Sequence, residues 1–240
     1  MHDGLSRRGL FGAAGAYLFG ANPASTMLRQ HACNSGPGPL SNLSATLRWF
    51  IFRLGLCQDV APHPWYDALA DDIERQEPKS PPPCPSLDRR QAAFFAQLAV
   101  TTIVPHYLRY AGLPHLAASV RCPADLASAG RAIHDLIDAF VPVEMQAFEG
   151  VGWHPAVPPR HRAAYCAALH AGNACFAATS DDRYEFAGDW CGWALSSAFL
   201  DAENPISQIE FDCTPLWEIA ASAIAYAQGL RAVDSGGASA

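Results

Sequence analysis

Pro123-Ala124-Asp125-Leu126-Ala127-Ser128-Ala129-Gly130-Arg131-Ala132-Ile133-His134-Asp135-Leu136-Ile137-Asp138-Ala139-Phe140-Val141 is the stretch that decides the fold. Leu126, Ala129, Ile133, Leu136, Ile137 and Phe140 recur every three or four residues, which gathers them within about 100° of arc on a helix. His134, Asp135 and Asp138 fall off that face. Pro123 suits a first-turn position, where a missing N–H is harmless, and Pro142 closes the stretch. The spacing predicts a helix over 124–141.

The same period extends outward. Downstream, a mostly alanine helix over about 160–178 carries Tyr165, Leu169 and Phe176 on one side. Asp182, with Glu185 three residues later, has the form of a capping box opening a helix through Phe186, Trp190, Trp193 and Leu195. Thr214 and Pro215 open a last helix through Leu216, Trp217, Ile219, Ala223 and Ala227, with a stop at Gly229.

Upstream, Phe94, Phe95, Leu98, Ala99 and Thr102 keep helical spacing within the apolar segment from Leu87 to Tyr110. The β-branched run Thr101-Thr102-Ile103-Val104 admits a short strand, but the spacing favours a helix kinked or ended before Pro105. Further upstream, Ser41 or Ser44 caps a helix through Leu47, Trp49, Phe50, Ile51 and Leu54. A second helix follows Pro62 or Pro64 through Trp65, Leu69 and Ile73 to about Gln76. No convincing alternating strand competes. The reading is an all-α fold, a single-domain bundle of about six or seven helices, with alanine letting the rods approach closely. Pro81-Pro82-Pro83 beside Cys84 reads as a loop inside that domain.

Composition agrees and excludes several classes. Half of the 240 residues are hydrophobic and only 16% are charged, so a folded core rather than disorder is expected. The net charge is −7, and the 16 basic residues, all arginine except Lys79, form no stripe. A nucleic-acid partner held through its phosphates is therefore excluded. No segment reaches 18 uninterrupted apolar residues, so no integral membrane span is expected.

The chain divides into residues 1–25, a linker over 26–40 rich in Gly and Pro, the helical domain over 41–232, and a disordered tail over 233–240. Ser6-Arg7-Arg8-Gly9-Leu10-Phe11, followed by a mildly apolar run to Gly20 and by Ala21-Asn22-Pro23-Ala24-Ser25, resembles a twin-arginine export signal. It departs from that pattern in lacking a small-x-small cleavage site and in carrying Asp3. The resemblance implies a periplasmic or secreted protein. An N-terminal helix docked on the body of a cytoplasmic protein is the alternative. The eight cysteines, at 33, 57, 84, 122, 166, 175, 191 and 213, match no zinc or iron–sulfur spacing. Export permits up to four disulfides, and cytoplasmic residence makes most of them small buried hydrophobes.

The standard hydrolase, zincin, P-loop and dinucleotide signatures are absent. Three sets of residues carry potential chemistry. His134 and Asp138, one helical turn apart, project from one face and suit a shared metal, or a solvated pair. Arg162, Cys166, His170 and Asn173 form a stripe in which Cys166 and His170 have metal-ligand spacing, unless the stripe is simply the wetter side of its helix. Should the two faces meet, His134, Asp138, Cys166 and His170 would converge on one ion. Asp181-Asp182-Arg183-Tyr184-Glu185 resembles the magnesium-binding run of class I terpene synthases, but the second metal motif of that family is missing and a helix cap accounts for the acids. Trp190 and Trp193 suit either a pocket wall or the core, and Trp153-His154 lies in a Gly/Pro loop. The expected function is non-enzymatic binding of a protein partner or a small-molecule ligand. The alternative is a metal-dependent helical enzyme using the His/Asp/Cys cluster.

Overall fold

The computed structural model describes residues 43–58, 85–120, 125–139, 141, 156–198 and 214–236. Seven helical rods follow one another, and no strand occurs among the described residues. They are α1 (Ala45–Gln58), α2, α3 (Pro114–Ser119), α4 (Leu126–Asp138), α5 (Pro159–Ala178), α6 (Phe186–Leu195) and α7 (Thr214–Gly236). The second, α2, is one continuous rod made of Pro85–Leu98, a π-helical turn over Ala99–Ile103, and Val104–Tyr110. The expected helix after Pro62 or Pro64, the linker, the Trp153-His154 loop and the side chains of Cys33, Cys57, Cys84, Cys122 and Cys213 lie outside the described residues.

The π turn answers the question posed by Pro105. Proline has no N–H to return to the carbonyl four residues back. The rod widens just before it, with the Val104 N–H donating to the Ala99 carbonyl five residues away. Ala99, Val100 and Ile103 are fully buried across this turn, so helical packing overrides the β-branched run. Beyond Tyr110 the chain turns at Gly112, whose φ of 79° is the only positive one among the described residues. There the Leu113 N–H reaches back to the Leu108 carbonyl at 2.8 Å, closing the rod with a glycine C-cap. Pro114 then starts α3, a helix absent from the sequence reading.

The central element is α5, packed against α2, α4 and α6. Its buried residues, Ala163, Ala164, Ala167, Ala168, Ala171, Gly172, Ala174, Cys175 and Ala177, surround most of the rod. A helix apolar around most of its girth belongs inside. Small side chains there draw the neighbours in. Gly172 abuts the His134 ring, and Gly130 of α4 abuts Cys175. On the other flank, Gly188 and Gly192, one turn apart on α6, let α1 settle on that helix at Thr46 and Arg53. Leu47, Phe50, Ile51 and Leu54 give α1 a fully buried face. Each such side chain contributes about 1.5–3 kcal/mol on burial.

Several boundaries differ from the sequence reading. The Asp125 side chain accepts from the Ser128 N–H at 2.7 Å, so α4 begins at Leu126 rather than in the first turn after Pro123. The capping box at Asp182 does not form. The Ser180 hydroxyl donates to the Asp182 carboxylate at 2.6 Å, residues 181–185 make a turn, and the helix starts at Phe186 with no side-chain cap. Gly229 does not stop α7, which continues to Gly236 and so into the stretch assigned to a tail. Ser44 caps α1 as expected, its hydroxyl accepting from the Leu47 N–H at 3.1 Å.

Candidate functional site

The site is built where α1 and α6 cross beside α5. In α1, the buried Leu47, Phe50, Ile51 and Leu54 fix the roll of the helix and turn Trp49, Phe52 and Arg53 towards its margin. In α6, Gly188 and Gly192 face α1, which leaves Asp189, Trp190 and Trp193 half-buried along the seam. In α5, His170 sits on the half-buried stripe with Cys166 and Asn173.

These side chains interlock. Both Nε and Nη2 of Arg53 donate to Asp189 Oδ1, at 2.8 and 2.6 Å. The side chains are only 11% and 13% exposed, so this is a largely desolvated ion pair rather than a surface one. The Arg53 guanidinium lies 3.9 Å from the Trp193 ring centroid, with Phe52 at 5.6 Å. The Trp193 ring is 5.5 Å from His170, and Trp190 stacks on the same imidazole at 5.5 Å with 20° between the planes. Trp49 extends the aromatic surface, 5.8 Å from Phe52 and 5.4 Å from Phe186.

His170 is the chemical centre of the group. Its ring is half-buried, but its Nδ1 is sealed from solvent and has no hydrogen-bond partner among the described residues. Desolvation, then the nearby positive charge of Arg53, depresses its pKa from 6.5 to about 3. It is a neutral imidazole at every physiological pH. Asp189 moves the other way: burial raises its carboxyl above the ordinary value, against the opposing pull of Arg53. Deeper in, the Cys191 thiol is driven well up by burial and by the neighbouring Cys175, so Cys191 is not a poised nucleophile.

The sequence candidates are divided by α5. His134 lies against Gly172 and, at 5.7 Å between ring centroids, Phe176. His170 faces Trp190 and Trp193. Residues 170 and 172 project about 200° apart on a helix, so the two histidines address opposite sides of α5. Asp138 is exposed on α4 beside His134, while Cys166 stands half-buried one turn before His170. Among the described residues no three His, Cys, Asp or Glu side chains gather as a metal-holding group. Arg162, read as the wet end of its stripe, is buried. Asp181 pairs with Arg89 at 3.2 Å on the surface. Arg53 and Asp189 went unnoticed in the sequence reading. The available signal was a lone charge within an apolar run, in Phe50-Ile51-Phe52-Arg53-Leu54 and in Gly188-Asp189-Trp190-Cys191.

No protein-family model, curated protein or solved structure matches this chain. The functional reading rests on the site itself. No helix among the described residues is long and apolar enough to cross a membrane.

Proposed function

We propose that this is a non-enzymatic binding protein that takes a small-molecule ligand where α1, α5 and α6 meet, with His170 as the recognising group. The observation that carries this reading is the sealed, unpartnered Nδ1 of His170 between two indole rings. An unsatisfied buried polar atom costs about 1–3 kcal/mol, which a ligand supplying the missing hydrogen bond would recover. The aromatic walls favour a flat ring, and a neutral imidazole favours an uncharged polar group on its edge.

The test is a titration of intrinsic tryptophan fluorescence with a panel of uncharged nitrogen heterocycles, run on the protein and on His170→Phe. Saturable quenching by a member of the panel, lost in the variant while its melting temperature is kept, supports the reading. Equal responses in both proteins, or none across the panel, oppose it.

The second reading is the metal-dependent enzyme, supported by the neutral His170 one turn from Cys166. The Arg53 charge beside the imidazole counts against a bound cation there. One tightly held transition metal per chain by elemental analysis, lost on replacing His170, would favour the enzyme. We also carry forward export of the chain, supported by the Arg7-Arg8 segment. A mature N-terminus near residue 26, read by mass spectrometry from the native host, tests it, and an intact Met1 there opposes it.

A further inference from the structure

Two long stretches of the sequence carry no acid: residues 89–124, with Arg89, Arg90, Arg109 and Arg121, and residues 150–180, with Arg160 and Arg162. The fold lays much of them side by side. Arg89, near the start of α2, pairs with Asp181 just past the end of α5 at 3.2 Å. Arg160, in the first turn of α5, lies 5.1 Å over the ring of Tyr110, the last residue of α2. The two rods are therefore antiparallel, and charge is sorted along them. Asp88, Asp181, Asp182 and Glu185 stand at one end. The other end has Arg109 from α2, Arg160 from α5, and His115 from α3, which packs on the last turns of α2. We propose that this basic end docks an acidic peptide segment of a protein partner. Arg160 and His170 are about 15 Å apart along α5, so the surface is separate from the one read above.

Three features support the docking. Arg109, His115 and Arg160 are exposed, and among the described residues neither arginine has an ion-pair partner. The charges do not serve the fold: the first turn of α5 holds Arg160, His161 and Arg162 and no acid, although the start of a helix favours anions. The chain as a whole carries −7, so this end is a local field of the opposite sign. Charges from three helices on an outer surface suit carboxylates spaced along an extended chain. A nucleic acid, with one charge about every 1.7 Å of duplex axis, meets the repulsion of the whole molecule more strongly than a peptide with a few carboxylates.

Fluorescence anisotropy of a labelled oligoglutamate, titrated with the full chain at about 0.01 M salt, tests the proposal, because exposed charges are then felt over about 30 Å. Saturable binding should appear. It should weaken by up to about fivefold in Arg109→Gln and in Arg160→Gln, the range for an exposed ion pair, and further in the double variant. Both arginines are exposed, so the melting temperatures should match the parent's. Arg183→Gln lowers the net charge equally but lies at the acidic end, and should bind as the parent does. No saturable binding, equal weakening by Arg183→Gln, or parental binding by the double variant overturns the docking. So does tighter binding of a labelled oligothymidylate that depends on the same two arginines, which would make this end a nucleic-acid surface. Displacement of the peptide by inorganic phosphate at the same molar charge also overturns it, by making the end a small-anion site. His170→Phe should bind oligoglutamate unchanged, so failure here and failure of the heterocycle titration are separate results.

Discussion

Gly188 of α6 lies directly on the main-chain carbonyl of Thr46 in α1, so close that a Cβ on the glycine would overlap the threonine oxygen. A main-chain atom cannot rotate away as a side-chain tip can. Gly188→Ala must therefore push the two helices apart along the seam that carries Arg53 and Asp189. The expected loss is at least about 1–3 kcal/mol, the range for overpacking a tight contact. Urea unfolding at neutral pH checks it. The variant should also loosen the contact of Arg53 with the Trp193 ring, seen as a shift in tryptophan emission, and parental stability would contradict the close approach.

Gly229 provides the opposite case. It lies within α7 with nothing near the position of a Cβ and without a positive φ. Alanine there keeps the helix and removes the conformational freedom that glycine gives the unfolded chain. Gly229→Ala should stabilise the protein by about 0.5–1 kcal/mol. A loss of similar size would mean that the helix ends at Gly229 after all.

Asp88 of α2 caps α1 from across the bundle. Its carboxylate accepts from the Thr46 N–H at 2.9 Å and from the Ala45 N–H at 3.2 Å, satisfying two donors that a helix start leaves open. Nearby, the Ser44 hydroxyl donates to the Gln91 side chain, whose Nε2 in turn donates to the Ala227 carbonyl of α7 at 2.7 Å. Asp88→Ala should cost about 1–2 kcal/mol in thermal unfolding, with Asp88→Asn recovering part of it through the remaining carbonyl oxygen. Hydrogen exchange should quicken at the amides of residues 45 and 46 first. Unchanged protection there would remove Asp88 as the cap.

The apolar period was enough to place α4, α5 and the body of α2, because a core-facing stripe repeats every turn and tertiary packing reinforces it. Single residues that act through distant partners were illegible. Asp182 and Glu185 have the spacing of a cap, yet Ser180 takes the aspartate in a local turn. Asp88 looks like an ordinary first-turn acid of its own helix, while it serves a helix 42 residues earlier. The candidate site was half legible. His170, Trp190 and Trp193 stood out by residue type, but their meeting depends on the roll of α6 set by Gly188 and Gly192. The pairing of Arg53 with Asp189 spans 136 residues and leaves no periodic trace. The expected convergence of His134 and His170 needed one face of α5, and the helical period puts them on two.

His170 and Asp189 have opposite effects on stability as the pH falls. His170 binds a proton at about 6.5 in the unfolded chain but only at about 3 in the folded one. Between those values the unfolded state holds more protons, so this residue takes stability away as the pH drops from about 6.5 towards 3, by at most about 1.4 kcal/mol per pH unit. Asp189, raised on folding, binds its proton earlier in the folded state and adds stability over the acidic range where the unfolded carboxyl is still ionised. His170→Phe keeps an aromatic ring between Trp190 and Trp193 and removes the first effect. Its stability should therefore fall less steeply than the parent's between pH 6.5 and 4, as measured by urea unfolding at intervals of half a unit. Asp189→Asn removes the compensating gain and should fall more steeply. Parallel curves for all three proteins would mean that neither group is held as far from its ordinary protonation as the packing around α1, α5 and α6 requires.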